Sequence, residues 1–266
     1  MSSTQTASDE PYVLRRDNGG LATLTLNRPQ QFNSLSRAMI GALQTQLDAI
    51  AGDSQVRVVV IAGAGKAFCA GHDLKEMRAN HNKAFMQDLF KRCGRMMMTL
   101  TEMPQPVIAR VHAIATAAGC QLVSMCDLAV AAEQARFATS GINVGLFCAT
   151  PGVGLSRNLG RKEALEMLLT GDFIDAPTAL RHGLVNRVVS AEQLDAEIDK
   201  LAQSIIGKSS VAIGMGKQMF YKQLEMGLDA AYQYAAEVMA CNMMTEDAGE
   251  GIDAFIGKRQ PVWQGR

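Results

Sequence analysis

Two apolar segments, each running into a loop of small residues and then a helix, constrain this chain more than any other feature. The first, residues 56–61 (VRVVVI), has the β-branched, nearly continuous apolar character of a strand covered on both faces. It runs into Ala62-Gly63-Ala64-Gly65-Lys66-Ala67-Phe68-Cys69-Ala70-Gly71-His72-Asp73-Leu74. The second comprises residues 106–111, then 113–118, then a helix expected from about 119 to 126. Small residues at such junctions leave main-chain N–H groups accessible, and a helix start adds unpaired donors and a positive dipole end. Two junctions of this kind can aim two donors at one carbonyl oxygen, the arrangement that stabilises a developing oxyanion.

The remaining sequence reads as α/β. Residues 12–16 and 21–27 predict two strands joined by Asp17-Asn18-Gly19-Gly20, a strong hairpin-turn signal. Asn27-Arg28-Pro29 ends the second. Ser36 precedes a helix with Ile40, Leu43, Leu47 and Ile50 on one face. A long helix is expected over 83–100, stopping before Pro104, a short strand over 128–131 and an extended stretch over 136–144. Strand–helix alternation continues through 184–189, after which 192–206, 212–226, 229–245 and 247–257 read as helices. The expected organisation is a core over residues 1–207, with 1–10 polar and disordered, and a helical region over 208–266.

Charge excludes several partners. Lys plus Arg number 26 and Asp plus Glu number 26, so no net field draws nucleic acid or an anionic membrane, and a phosphate-bearing ligand needs a local basic cluster. No apolar run has the length of a membrane span. The six cysteines form no C-x-x-C pair and read as reduced, packed thiols. The opening MSSTQTASDEPYVLRR has no apolar signal core, and its acidic pair argues against a transit peptide; a cytoplasmic location is the expectation.

Three motifs fail on inspection. Gly63-Ala64-Gly65-Lys66 lacks the first glycine of a phosphate loop, where Val60 stands, and has Ala67 for the Ser/Thr. Thr139-Ser140-Gly141 has Ala138 where a nucleophile elbow has its leading glycine. His72, His81, His112 and His182 show no metal-ligand spacing, so no metal is expected.

Leu26-Asn27-Arg28-Pro29, the run from Lys66 to Met77 (KAFCAGHDLKEM), Ala117-Ala118-Gly119-Cys120-Gln121-Leu122 and Cys126-Asp127-Leu128 strongly resemble the crotonase (enoyl-CoA hydratase/isomerase) superfamily. So do Leu168-Leu169-Thr170-Gly171, Gly183-Leu184-Val185-Asn186 and the tail Phe255-Ile256-Gly257-Lys258-Arg259. The segment from Phe137 to Cys148 is similar to the subgroup named enoyl-CoA hydratase domain-containing protein 3. The resemblance implies an α/β spiral of strand–strand–helix turns and a C-terminal helical trimerisation region, giving a homotrimer or a hexamer of paired trimers. It implies oxyanion donors at the backbone N–H of His72 and of Ala118, where the family usually has glycine. Ala70, Gly71, His72, Asp73 and Leu74 would accept coenzyme A, with Arg28, Lys75 and a neighbouring subunit's Phe255 and Lys258 at the nucleotide end. The thioester would be substrate or ligand, with no permanently bound cofactor.

The same resemblance places the two hydratase glutamates at Gln121 and Gly141. An amide holds water without taking its proton, and glycine offers no side chain. General acid–base help is worth roughly 10²–10⁴-fold, so ordinary hydration is not expected. Thr116, Thr139, Ser140, Asn143, Cys148 and Thr150 border the expected acyl segment, and His72 carries the one ready titratable side chain. The leading reading is an enzyme of the lyase/isomerase class acting through a thioester enolate. Two alternatives stay open: decarboxylation of a malonyl-CoA-type thioester, in which carbon dioxide leaves the electron pair behind, and acyl-CoA binding without turnover.

Overall fold

The computed structural model describes residues 10–266. The expected disorder over 1–10 therefore lies, apart from Glu10, outside the described residues. The chain opens with β1 (Val13–Asn18), β2 (Leu21–Leu26), α1 (Arg37–Ala51), β3 (Val58–Gly63), β4 (Ala67–Cys69), α2 (Leu74–Ala79) and α3 (Lys83–Glu102). It continues through β5 (Val107–Val111), β6 (Ile114–Thr116), α4 (Ala118–Met125), β7 (Leu128–Ala132), β8 (Arg136–Ala138), α5 (Ala149–Asn158), α6 (Arg161–Thr170), β9 (Ile174–Asp175), α7 (Ala176–Arg181) and β10 (Arg187–Val189). Four helices close it: α8 (Leu194–Ile206), α9 (Ser210–Gln223), α10 (Leu228–Met243) and α11 (Glu246–Ile256).

Among the described residues the strands form two sheets, ordered β1-β2-β3-β5-β7-β10 and β4-β6-β8-β9. β1 pairs antiparallel with β2, as the Gly19–Gly20 turn requires; from β2 to β10 the larger sheet is parallel. Successive pairs β3–β4, β5–β6 and β7–β8 each give one strand to the larger sheet and the next to the smaller, so the chain winds as a spiral. The apolar strand runs follow from burial on both faces. Val59 and Ile61 pack into the main core with Leu24, Leu26 and Phe68, while Val58 and Val60 face Leu194, Ile198 and Ala202 of α8. Burying one such aliphatic side chain contributes about 1.5–3 kcal/mol, which fixes the strand even without polar alternation.

Ser36 caps α1 by accepting from Met39 N, and its apolar face Ile40, Leu43, Leu47 and Ile50 is buried. Asp73 caps α2, accepting from Lys75 N at 2.9 Å and Glu76 N at 3.0 Å. The expected extended stretch over 136–144 is corrected: strand stops at Ala138, and residues 140–144 form a 3-10 turn closed by Gly145 at φ 79°. Local glycines permit that turn, and its packing against α6 selects it over strand. Helix α5 gave little sequence signal because Pro151, Gly152 and Gly154 lower its propensity. Close packing explains Gly154, since a Cβ there would sit 2.4 Å from Ser124 Oγ of α4.

Helix α9 docks on the spiral through a buried ion pair. Lys217 Nζ lies 2.7 Å from Asp127 Oδ2 and donates to Leu100 O and Gln105 O at 2.7 and 2.8 Å. The outer faces of α10 and α11 leave Leu228, Tyr232, Met239, Phe255 and Ile256 largely exposed. Among the described residues, no helix is long and apolar enough to cross a membrane.

Candidate functional site

The site is built where β4 meets α2 and β6 meets α4. After Cys69, Ala70 N donates to Phe32 O at 3.0 Å and Leu35 N donates to Gly71 O at 2.7 Å, so residues 32–35 fix the first junction. Gly71 sits at φ 90°, in the left-handed region that a Cβ disfavours. At the second junction, Ala117 adopts φ 51° and ψ −120°, the conformation of the first central residue of a type II′ turn. Alanine there stores strain of about 1–3 kcal/mol. Its N–H donates to Ala138 O at 2.9 Å, which holds the turn in place. Ala118 then opens α4, where a first-turn N–H has no intrahelical acceptor. Among the described residues, neither the His72 nor the Ala118 N–H has a hydrogen-bond acceptor.

The two junctions touch. A Cβ on Gly71 would lie 2.8 Å from Ala117 Cβ, 3.0 Å from Thr116 O and 3.2 Å from Ala118 N. One on Gly119 would lie 2.1 Å from Cys69 O. Bare Cα atoms are thus what allow the loops to approach, and both open on one cavity of about 230 Å³. Ala70, His72, Leu74, Ala118 and Gly141 line it, as do Ala117, Ser140, Cys148 and Thr150. Met77, Phe90, Val144, Leu146 and Phe147 supply an apolar wall. Among the described residues, no Asp, Glu, Lys or Arg lines it.

Burial shifts the groups that remain. The His72 ring is pushed below the ordinary imidazole range by desolvation, opposed by its contact with Leu35 O. Burial raises the Cys148 thiol, and a hydrogen bond from the Gly141 backbone only partly offsets this. The thiols of Cys69 and Cys120 are pushed up to about 12 by full burial. All six cysteines are free thiols, and five are buried.

The other sequence-singled residues divide. Gln121 is buried, its Oε1 is without a partner among the described residues, and it is not among the residues that line the cavity. At Gly141, a Cβ would lie 2.6 Å from Leu146 O and 2.7 Å from Cys148 Sγ, so the turn is closed around a glycine. Arg28, Asp73 and Lys75 line a second cavity of about 840 Å³ with Tyr12, Asn27 and Ser34. The Arg28 guanidinium stacks 3.6 Å over the Tyr12 ring and donates to Glu10 O, Pro11 O and Asn27 O. Phe255 and Lys258 line neither cavity of this chain. Thr116 pairs with Ser140 Oγ at 2.7 Å and Thr139 donates to Met167 O at 2.6 Å; both serve the turn, and with Asn143 they stay outside the lining. Phe90 and Met77 were missed because apolar residues on helices read as core; Met77 alone carried a signal, as the end of the quoted KAFCAGHDLKEM run.

A strand–strand–helix spiral with two main-chain junctions meeting at one apolar cavity defines the crotonase class of fold. The chain belongs to the enoyl-CoA hydratase/isomerase family, whose model matches residues 16–266. It is 46% identical over 253 residues to the mitochondrial enoyl-CoA hydratase domain-containing protein 3 of Xenopus laevis, covering 95% of this chain and 86% of that protein. The crystal structure of a Mycobacterium smegmatis enoyl-CoA hydratase shares 57% identity and a TM-score of 0.94, covering 96% of this chain and 99% of that one. The human enoyl-CoA hydratase domain-containing protein 3 structure shares 43% identity and a TM-score of 0.92, covering 95% and 100%. These relatives agree with the subgroup resemblance. They overturn the expected cytoplasmic location, because the frog, rat, mouse and human proteins of that name are mitochondrial. The expectation rested on the acidic pair in the opening residues and on reduced thiols; thiols stay reduced in either compartment, and an acidic pair does not set an address.

Proposed function

We propose that this protein binds acyl-CoA thioesters and acts through an enolate whose oxygen is held by the His72 and Ala118 N–H groups. The observation that carries the reading is the contact of the two junctions at one cavity, with both N–H groups unpaired among the described residues. The apolar wall of Phe90, Leu146 and Phe147 suits an acyl chain. The larger cavity with Lys75 and Arg28 suits the nucleotide end of coenzyme A, with Lys75 the freer cation because Arg28 already donates to three carbonyls. Main-chain donors survive the loss of both glutamates, and one such donor is worth about 2.7–4 kcal/mol in a transition state.

Hydration is disfavoured by the same cavity. With no carboxylate in the lining, water has no strong base to activate it, and the closed turn at Gly141 leaves no room for one. Crotonyl-CoA should bind in a calorimetric titration yet hydrate roughly 10²–10⁴-fold more slowly than with a two-glutamate hydratase. Absence of acyl-CoA binding would sink the proposal, and hydration at the ordinary rate would sink the account of Gln121 and Gly141. The carboxylate-free lining also favours a second reading, decarboxylation of a malonyl-type thioester, which release of carbon dioxide from methylmalonyl-CoA would reveal.

The exposed apolar faces of α10 and α11 support assembly into a trimer or a pair of trimers, with Phe255 and Lys258 delivered to a neighbour's coenzyme A. Phe255 is 86% exposed in the single chain, large for an aromatic at a helix end. Light scattering should give a mass of three or six chains, and a single-chain mass would refute it.

A further inference from the structure

The apolar cavity does not end at its wall. Leu74, Met77, Phe90, Val144 and Leu146 also line a groove of about 510 Å³ that reaches the loop between α2 and α3. Leu74, Val144 and Leu146 are 56%, 65% and 44% exposed, so the shared residues form a seam between the two spaces and not a packed partition.

Helix spacing explains what the groove is made of. On α2, Leu74, Met77 and Arg78 stand at i, i+3 and i+4; on α3, Lys83, Met86 and Phe90 stand at i, i+3 and i+7. Each set lies on one helix face, and all six residues line the groove. The apolar members run on from the acyl cavity, and the cations sit toward the loop, which adds His81. Along α3 the rise from Phe90 back to Lys83 is about 10 Å.

The carboxylates nearest these cations along the chain are engaged elsewhere. Asp88 pairs with Arg37 and Arg92 at 3.1 and 2.8 Å, Glu76 accepts from the Arg37 N–H at 3.0 Å, and Asp73 caps α2. Among the described residues, no Asp or Glu lines the groove. Arg78 suits the C-terminal end of α2, where the helix dipole is negative. Lys83 has no such account: it opens α3, whose first turn holds no acidic residue. A cation at that positive end is unfavourable to the fold, and an anion in the groove offsets it.

We infer that the groove takes the far end of the acyl chain and that this end is a carboxylate, so that the bound thioester is the coenzyme A monothioester of a straight-chain dicarboxylic acid. The inference rests on the thioester reading above and names its substrate class. A chain ending in methyl occupies the apolar stripe but leaves Arg78 and Lys83 bare. A free phosphate meets the cations and ignores the stripe. A ligand apolar along its length and anionic at its tip uses both. Length then sets specificity, because a carboxylate that stops short strands its charge among Met77, Phe90 and Leu146, where desolvation is unopposed.

Calorimetric titration of matched pairs tests this: butyryl- against succinyl-CoA, hexanoyl- against adipoyl-CoA, octanoyl- against suberoyl-CoA and decanoyl- against sebacoyl-CoA. Succinyl-CoA should bind more weakly than butyryl-CoA. The longest diacids should bind about 5–10-fold more tightly than their partners at low salt, and the advantage should shrink as salt is added. Arg78→Gln combined with Lys83→Gln should remove the advantage, and Lys83→Glu should invert it. Both residues are exposed, and circular dichroism checks that the variants fold. Equal affinity within every pair, or a diacid advantage that survives the double variant, would overturn the inference and leave the thioester reading intact. Binding of phosphatidylserine vesicles that needs Arg78 and Lys83, without any diacid advantage, would assign the cations to a membrane surface and overturn it too. Failure of every acyl-CoA to bind would remove both.

Discussion

Replacing Asp127 with alanine should lower the unfolding free energy by about 3–5 kcal/mol, because it orphans a buried ammonium. The Lys217 side chain is 6% exposed and that of Asp127 14%. The carboxylate also accepts from Val107 N at 2.6 Å and Tyr221 Oη at 2.8 Å, so one side chain ties β5, α9 and the start of β7 together. Desolvation already pushes Lys217 below the ordinary ammonium range, and Asp127 is the main opposing influence. Urea unfolding monitored by circular dichroism measures the loss. Asp127→Ala with Lys217→Met should lose less than Asp127→Ala alone, since no charge is then stranded. A single-variant loss below about 1 kcal/mol would mean that water reaches the pair.

The second large effect concerns Gly71→Ala. The new Cβ would meet Ala117 Cβ, Thr116 O and Ala118 N at 2.8–3.2 Å while the backbone stays at φ 90°. None of these neighbours is the free end of a flexible side chain, so the junctions must separate. Losing the alignment of one donor corresponds to about 10²–10³-fold in rate on an enolate reaction. Gly19→Ala is the control: it has φ 55° in the β1–β2 hairpin, with nothing within 4 Å of the added carbon. Both variants carry backbone strain, but only Gly71→Ala should lose acyl-CoA turnover in a steady-state assay. Equal loss in the two would place the effect in general stability instead.

Much of the candidate site was legible, for a reason particular to the chemistry proposed for it. Main-chain donors require small residues at strand–helix junctions, and Ala70-Gly71 and Ala117-Ala118-Gly119 leave that signature. The apolar wall left none: Phe90 on α3 follows the same periodicity as the buried Leu89, Cys93 and Met96, and only the spiral turns it toward the cavity. Arg28 shows the opposite difficulty. It lines the second cavity, yet stacking on Tyr12 and three carbonyl contacts commit its guanidinium within the chain.

The sequence by itself determined the α/β order, the hairpin, the doubly covered strands and the two junctions, because these follow from side-chain spacing and local backbone freedom. Only the tertiary structure decided that residues 140–144 curl instead of extending, that Gly141 is shut in by Leu146 and Cys148, and that His72 Nε2 is buried without a partner among the described residues. The packing of 140–144 on α6 and of His72 against Leu35 joins segments far apart along the chain, whereas Leu146 and Cys148 close on Gly141 only because the turn curls. No local pattern encodes which atom a distant turn brings within 3 Å of another.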